Sequence, residues 1–233
     1  MRKIQRPNSA TVAALAMAAL AMAFATVAAA CGAPAPTGPG ASAAPVPSST
    51  AAAAAPVAGG VTRPSDVFGP ACNELPQAGT PGSAVRVASL PVGTAIAANP
   101  LLRTMTTALL KAGLTDALNQ QKEVTVFAPY DRGFQNFQQN LGNDRFNALL
   151  ADQNTLGDTL KYHVLAKRYD RAGLVAAGTV TTLQGGGLRI SDAGDTLEIT
   201  DNAGTTAHVL CGNIPTANAT LFVIDQVVQP KRP

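Results

Sequence analysis

The period of the apolar positions changes along this chain. Behind Asn99-Pro100, Leu101, Leu102, Met105, Ala108, Leu109 and Ala112 recur at helical spacing. Asn99 is a good capping residue, proline suits the first helical position, and Gly113 stands where a C′ glycine belongs. Thr125-Val126-Phe127 then reads as a short buried strand, which Pro129 ends because proline has no N–H for a sheet ladder. Asp131 is the expected N-cap of a following helix, with Phe134, Phe137 and Leu141 on one face. Helical turns are expected around 115–119, 131–141, 144–151, 155–161 and 170–176. Thereafter the period shortens. Val180, Leu188, Ile190, Leu197, Ile199, Val209, Leu221, Val223 and Val227 lie in short alternating runs. Gly185-Gly186-Gly187, Asp192-Ala193-Gly194 and Asp201-Asn202-Ala203-Gly204 punctuate them as hairpin turns, so the last third reads as a β-meander. Helices first and hairpins last is an α+β pattern.

The first 62 residues follow a different logic. Arg2, Lys3 and Arg6 precede an Ala/Leu/Met-rich run that ends at Cys31, the layout of a bacterial secretory leader. Ala28-Ala29-Ala30-Cys31-Gly32 resembles a lipobox, in which the cysteine thiol receives diacylglycerol and becomes the first mature residue. Ordinary cleavage and a retained membrane helix are the other two readings of the same run. From Gly32 to Thr62 only Ala, Pro, Gly, Ser, Thr and Val occur, too little apolar bulk to offset chain entropy. A flexible tether is the expectation, with Thr37, Ser48, Ser49 and Thr50 as candidate O-glycosylation positions. The expected organisation is therefore a leader over 1–30, a lipidated cysteine and tether over 31–62, an arm over 63–84 and one folded domain over 85–230. Order is expected from near Arg63.

Charge changes the picture once the leader is set aside. The full chain carries 17 Lys+Arg against 14 Asp+Glu, and the leader holds three of the basic residues and no acidic ones. The remainder is formally neutral. It has no Lys/Arg cluster that could track a phosphate backbone, so nucleic acid is not an expected partner.

No catalytic constellation stands out. The chain lacks a Gly-Lys-Ser/Thr phosphate loop, a Gly-x-Gly-x-x-Gly turn and a Gly-x-Ser-x-Gly elbow. Its two histidines, His163 and His208, stand in no metal-ligand spacing. Asp192 and Asp195 flank a turn and read as turn residues. No catalytic residue, metal or cofactor is assigned, and the chain reads as a non-enzyme.

Three blocks together resemble the fasciclin domain. They are Thr125-Val126-Phe127-Ala128-Pro129-Tyr130-Asp131-Arg132-Gly133-Phe134, Tyr162-His163-Val164-Leu165 and Val223-Ile224-Asp225-Gln226-Val227-Val228-Gln229-Pro230. They fall in family order, with Tyr130 where threonine is usual and Val228 where leucine is usual. The Asn99-Pro100-Leu101-Leu102 start, Thr182-Leu183-Gln184-Gly185 and the Cys211-Gly212…Thr216-Ala217-Asn218-Ala219-Thr220 segment are similar to mycobacterial surface-lipoprotein and secreted-antigen members. The resemblance implies helices packed on a twisted, two-sheet β-wedge that ends in the meander. With Cys31 lipidated, Cys72 and Cys211 remain as a pair, and similar antigens carry cysteines in corresponding places. A disulfide and two buried free thiols are the two readings.

The resemblance also implies adhesion, with Tyr162, His163 and Asp225 as candidate contact residues. Against it stands a core reading, in which Tyr162 packs inside, His163 bonds backbone and Asp225 satisfies local N–H groups. Asn218-Ala219-Thr220 fits the N-glycosylation pattern, which a lipobox-bearing bacterial chain seldom uses. The expected protein is anchored on the outer face of the membrane, or shed or secreted, and meets a host or matrix protein, a glycan or an envelope component. The alternative is an envelope lipoprotein that holds a small molecule or lipid in a groove of the sheet wedge.

Overall fold

The strand expected at Thr125-Val126-Phe127 forms over Val124–Pro129, and all six of its residues are buried. A computed structural model describes residues 60–231. Its helices are Ala84–Val87 (α1), Val92–Ala98 (α2), Arg103–Lys111 (α3), Thr115–Gln120 (α4), Asp131–Leu141 (α5), Asn143–Ala151 (α6), Gln153–Lys161 (α7) and Arg171–Ala177 (α8). Its strands are Val124–Pro129 (β1), Val164–Leu165 (β2), Thr179–Thr181 (β3), Gly187–Asp192 (β4), Leu197–Thr200 (β5), Thr206–Pro215 (β6) and Ala219–Ile224 (β7). Cys31, Thr37, Ser48, Ser49 and Thr50 lie outside the described residues.

The strands form one mixed sheet in the order β2-β1-β7-β6-β5-β4-β3. The expected hairpin turns join β3 through β6 into an antiparallel meander. β7 then pairs antiparallel with β6 and parallel with β1. β6 shifts register twice, between Val209 and Cys211 and again between Cys211 and Ile214, and such irregularities bend a strand. The sheet curls until its two ends meet, at a Leu165–Thr182 bridge and through Leu183 N–H donating to Val164 O at 2.7 Å. Strand pleating sends alternate side chains to opposite faces. Phe127, Phe222 and Ile224 therefore fill the interior of the curl with Leu188, Leu197 and Ile199. Val124, Val126, Leu221 and Val223 face the other way, onto Met105 and Leu109 of α3 and Phe134 and Phe137 of α5.

Two helix starts differ from expectation. α3 begins at Arg103, because Asn99 and Pro100 form a preceding turn in which Asn99 Oδ1 accepts from Leu101 N–H at 3.0 Å. Tyr130, not Asp131, is the N-cap of α5. The Asp131 carboxylate reaches across instead and accepts the Thr104 N–H at 2.8 Å, while Asp131 N–H donates to Leu101 O at 3.0 Å. It sits in the first turn of one helix and satisfies an open donor in the first turn of another.

The N-terminal arm is part of the sheet's packing, and it begins earlier than Arg63. Gly60 O already accepts from Thr220 Oγ1 at 2.8 Å, and Thr62 is buried. Phe68 exchanges backbone hydrogen bonds with Gly212, and Ala71 N–H donates to Leu210 O at 3.0 Å. Cys72 and Cys211 are joined in a disulfide, with their Cα atoms 4.8 Å apart. Gly212 lets the arm in. A Cβ there would lie 2.6 Å from a Phe68 ring carbon and 2.7 Å from a Phe222 ring carbon. Gly212→Ala is expected to lower stability by about 1–3 kcal/mol, read as a lower urea midpoint at unchanged slope.

Candidate functional site

The candidate residues separate into an enclosed pair and an exposed row. Tyr162 follows α7 as its C-cap, and its side chain is wholly buried. Its hydroxyl donates to Gly187 O at 2.8 Å and accepts from Asn202 N–H at 3.4 Å, which ties the end of α7 to two hairpins. His163 is 1% exposed. Its Nδ1 lies 2.8 Å from Thr159 O, so Nδ1 carries the proton, and Nε2 has no hydrogen-bond partner. Burial pushes the imidazole down to about 4, against the Thr159 carbonyl and the Asp201 charge, which both pull upward. His163 is therefore neutral at physiological pH. Neither side chain reaches the surface, so the contact reading of Tyr162 and His163 gives way to the core reading.

Asp225 lies elsewhere, just past β7. Its Oδ1 accepts the His208 backbone N–H at 2.7 Å, and its own N–H donates to His208 O at 3.1 Å. Its Oδ2 is 3.2 Å from His208 Nδ1, while His208 Nε2 is 3.6 Å from Glu198 Oε1. Asp225 thus does satisfy a backbone N–H, but one on β6 and not a local one.

Strand register extends this contact into a pattern. Ser191 pairs with Glu198, and Glu198 with His208, so Ser191, Glu198, His208 and Asp225 form one row across the sheet. Thr179, Arg189, Thr200 and Thr206 form the neighbouring row by the same pairing. All eight are half-buried or exposed, while Leu188, Ile190, Leu197, Ile199 and Val209 between them point inward. The result is a polar, outward sheet face on which the His208 ring lies between the Glu198 and Asp225 carboxylates. At one margin Arg171 pairs with Asp192 at 2.8 Å and also donates to Gly194 O, and this contact holds the Asp192 carboxyl below its usual range. Glu198 and His208 were not singled out from sequence. The polar half of the meander's alternation, set in register by its three turns, is the signal that marks them.

Other sequence features have structural employment. The disulfide occupies both Cys72 and Cys211, which removes them as nucleophiles. The Asn218 amide donates to Leu118 O and Gln121 O, both at 2.8 Å, and accepts the Val92 N–H at 2.8 Å. Its nitrogen is committed to the fold. Asp192 accepts from Gly194 N–H at 3.1 Å, as a turn residue does. Among the described residues, no group of three or more His, Cys, Asp or Glu is placed to hold a metal ion, and no helix is long and apolar enough to cross a membrane.

An α+β domain whose helices cover one side of a curled mixed sheet, with its N-terminal arm stapled to β6, defines a class. The family model described as "Fasciclin domain" matches residues 100–230, and the chain belongs to that family. It is 34% identical over 172 residues to "Immunogenic protein MPB70" of Mycobacterium bovis, an alignment that covers 71% of this chain and 83% of that protein. It is 38% identical over 155 residues to "Cell surface glycolipoprotein MPB83" of the same species, covering 64% of this chain and 65% of that one. Among solved structures, a FAS1 domain pair from the insect cell adhesion molecule fasciclin I shares the fold. That match has a TM-score of 0.53 at 18% identity and covers 60% of this chain and 50% of that one.

Proposed function

We propose that this chain is a non-enzymatic cell-surface lipoprotein that presents its fasciclin domain for contact with a protein, glycan or matrix partner. Acyl groups on Cys31 would hold it at the membrane, and the segment from Gly32 would give the domain reach. The lipobox-like Ala28-Ala29-Ala30-Cys31-Gly32 supports the anchor, as does the similarity to a protein named a cell surface glycolipoprotein. The observation that carries the contact reading is the outward sheet face with its Ser191-Glu198-His208-Asp225 row. With no Trp and three Tyr in the chain, each contact is expected to be weak. Dense display on one membrane makes weak contacts multivalent.

The test clusters the intact chain on beads and measures capture on host matrix, cells and envelope polymers. Wild-type beads are expected to bind at least tenfold above single molecules, and a variant with Arg189→Glu and Glu198→Lys to lose most of that gain while unfolding at the same urea midpoint. Capture no greater than that of a scrambled-surface control would sink the contact reading. The anchor is checked on the same preparation by intact mass: a chain that starts at Cys31 and carries acyl groups is expected from the membrane fraction. An unlipidated chain recovered only from medium would remove it.

A further inference from the structure

The interior of the sheet, where the alternative reading put a ligand groove, is filled by Phe127, Tyr162 and Phe222. Room exists on the helical side instead. A cavity of about 270 Å³ lies where the end of α3, helix α4, the end of α7 and β2 converge. Leu109, Leu114, Leu118, Leu160, Val164 and Leu183 line it, and Gln121 and Lys161 are its polar side chains. Two features stand at its rim. Leu183 remains 39% exposed, and its backbone hydrogen bond to Val164 O at 2.7 Å holds it at that place. Among the described residues the Lys161 ammonium pairs with Asp158 alone, at 3.4 Å, with the two side chains 46% and 58% exposed. Such a solvated pair contributes little, so the ammonium is open to exchange for another anion.

We propose that this cleft binds an acyl chain that ends in an anionic head. The tail lies among the leucines, and the head meets the Lys161 ammonium at the mouth. The cavity is just below the roughly 300–1,000 Å³ of common small-molecule sites, so one medium-length tail fits and a two-tailed lipid does not. A carboxylate and a phosphate monoester share the head chemistry, and they separate a free fatty acid from a single-tailed phospholipid. This site lies apart from the outward sheet face, so its failure leaves the contact reading standing.

The experiment titrates the intact chain carrying Cys31→Ser, so that no acyl group of its own competes, and follows amide NMR shifts of Leu118, Leu160 and Leu183. The probes are hexanoate, octanoate, decanoate, 1-decanol and a lysophosphatidic acid with a ten-carbon tail. Saturable one-to-one binding is expected, and it should tighten about fourfold per added methylene until the cavity is full. Lys161→Gln should weaken decanoate about two- to fivefold and leave 1-decanol unchanged. Ala117 stands exposed on the rim of the cavity, so Ala117→Trp should block entry without disturbing the core. A lysophosphatidic acid that outcompetes decanoate identifies the phospholipid, and the reverse order identifies the free acid. Unsaturable shifts, affinity independent of tail length, or equal binding in Ala117→Trp would overturn the proposal.

Discussion

Replacing Cys72 and Cys211 together by alanine is expected to lower the stability of this domain by several kcal/mol, up to about 5 kcal/mol. The two cysteines are separated by 139 positions, so their bond closes a loop that takes in most of the folded region. Cross-linking so long a loop removes conformations chiefly from the unfolded chain, and the effect grows with the logarithm of loop length. In the native state the arm is already positioned by other contacts. Phe68 pairs with Gly212, Ala71 donates to Leu210 O, and Asn213 Nδ2 donates to Asp66 O at 3.1 Å. The folded structure of the double variant should therefore keep its arm in place, and the loss should appear as a gain in freedom of the unfolded state. Urea unfolding checks both halves of that statement. The midpoint should fall, and the slope should rise because a chain without the bond exposes more surface when unfolded. A loss below about 1 kcal/mol at unchanged slope would mean that the unfolded chain is compact with or without the bond.

The second large effect is a loss of stability in mild acid. His163 titrates at about 4 in the folded protein because burial disfavours its charged form, whereas an unfolded histidine titrates near 6.5. Above pH 6.5 both states hold a neutral imidazole, and the full stability is present. Between pH 6.5 and 4 the unfolded state takes up a proton that the folded state refuses, so stability falls as pH falls. The slope approaches 1.4 kcal/mol per pH unit, and the loss across this window amounts to about 3 kcal/mol. Below pH 4 this residue adds nothing further. Urea midpoints measured from pH 7.5 to 3.5 read the effect. His163→Phe keeps a ring in the site and removes the titration, so its curve should lie flatter than wild type by that amount. Parallel curves for the two proteins would show that His163 is solvated in the folded state.

The boundary between what could be read along the chain and what could not follows the range of the forces involved. Periods of 3.6 and 2 are properties of neighbouring residues, so α5 and the β3–β6 meander were legible, as were the turns built on Gly185, Gly194 and Gly204. The same holds for the α+β class and for the three blocks that point to the fasciclin family. Pairing across distance has no such local mark. That β1 lies parallel to β7, that Asp131 serves α3, and that Asp225 meets His208 each depend on which elements are brought together. Tyr162 and His163 show the difference most sharply: a polar pair after a helix reads equally well as surface or core. Only the curl of the sheet around them puts both inside. Arg168 is a further case, an almost fully buried cation satisfied by Thr216 O, Ala219 O and Thr220 Oγ1, with burial pulling down its basicity. Along the chain, then, the sequence by itself determined most of the elements from Asn99 onward, their order and the cysteine pair available to staple them. It did not determine the short helices Ala84–Val87 and Val92–Ala98. The tertiary structure decided which polar groups face water, because burial is set by neighbours that arrive from distant parts of the chain and leave no period in the residues they cover.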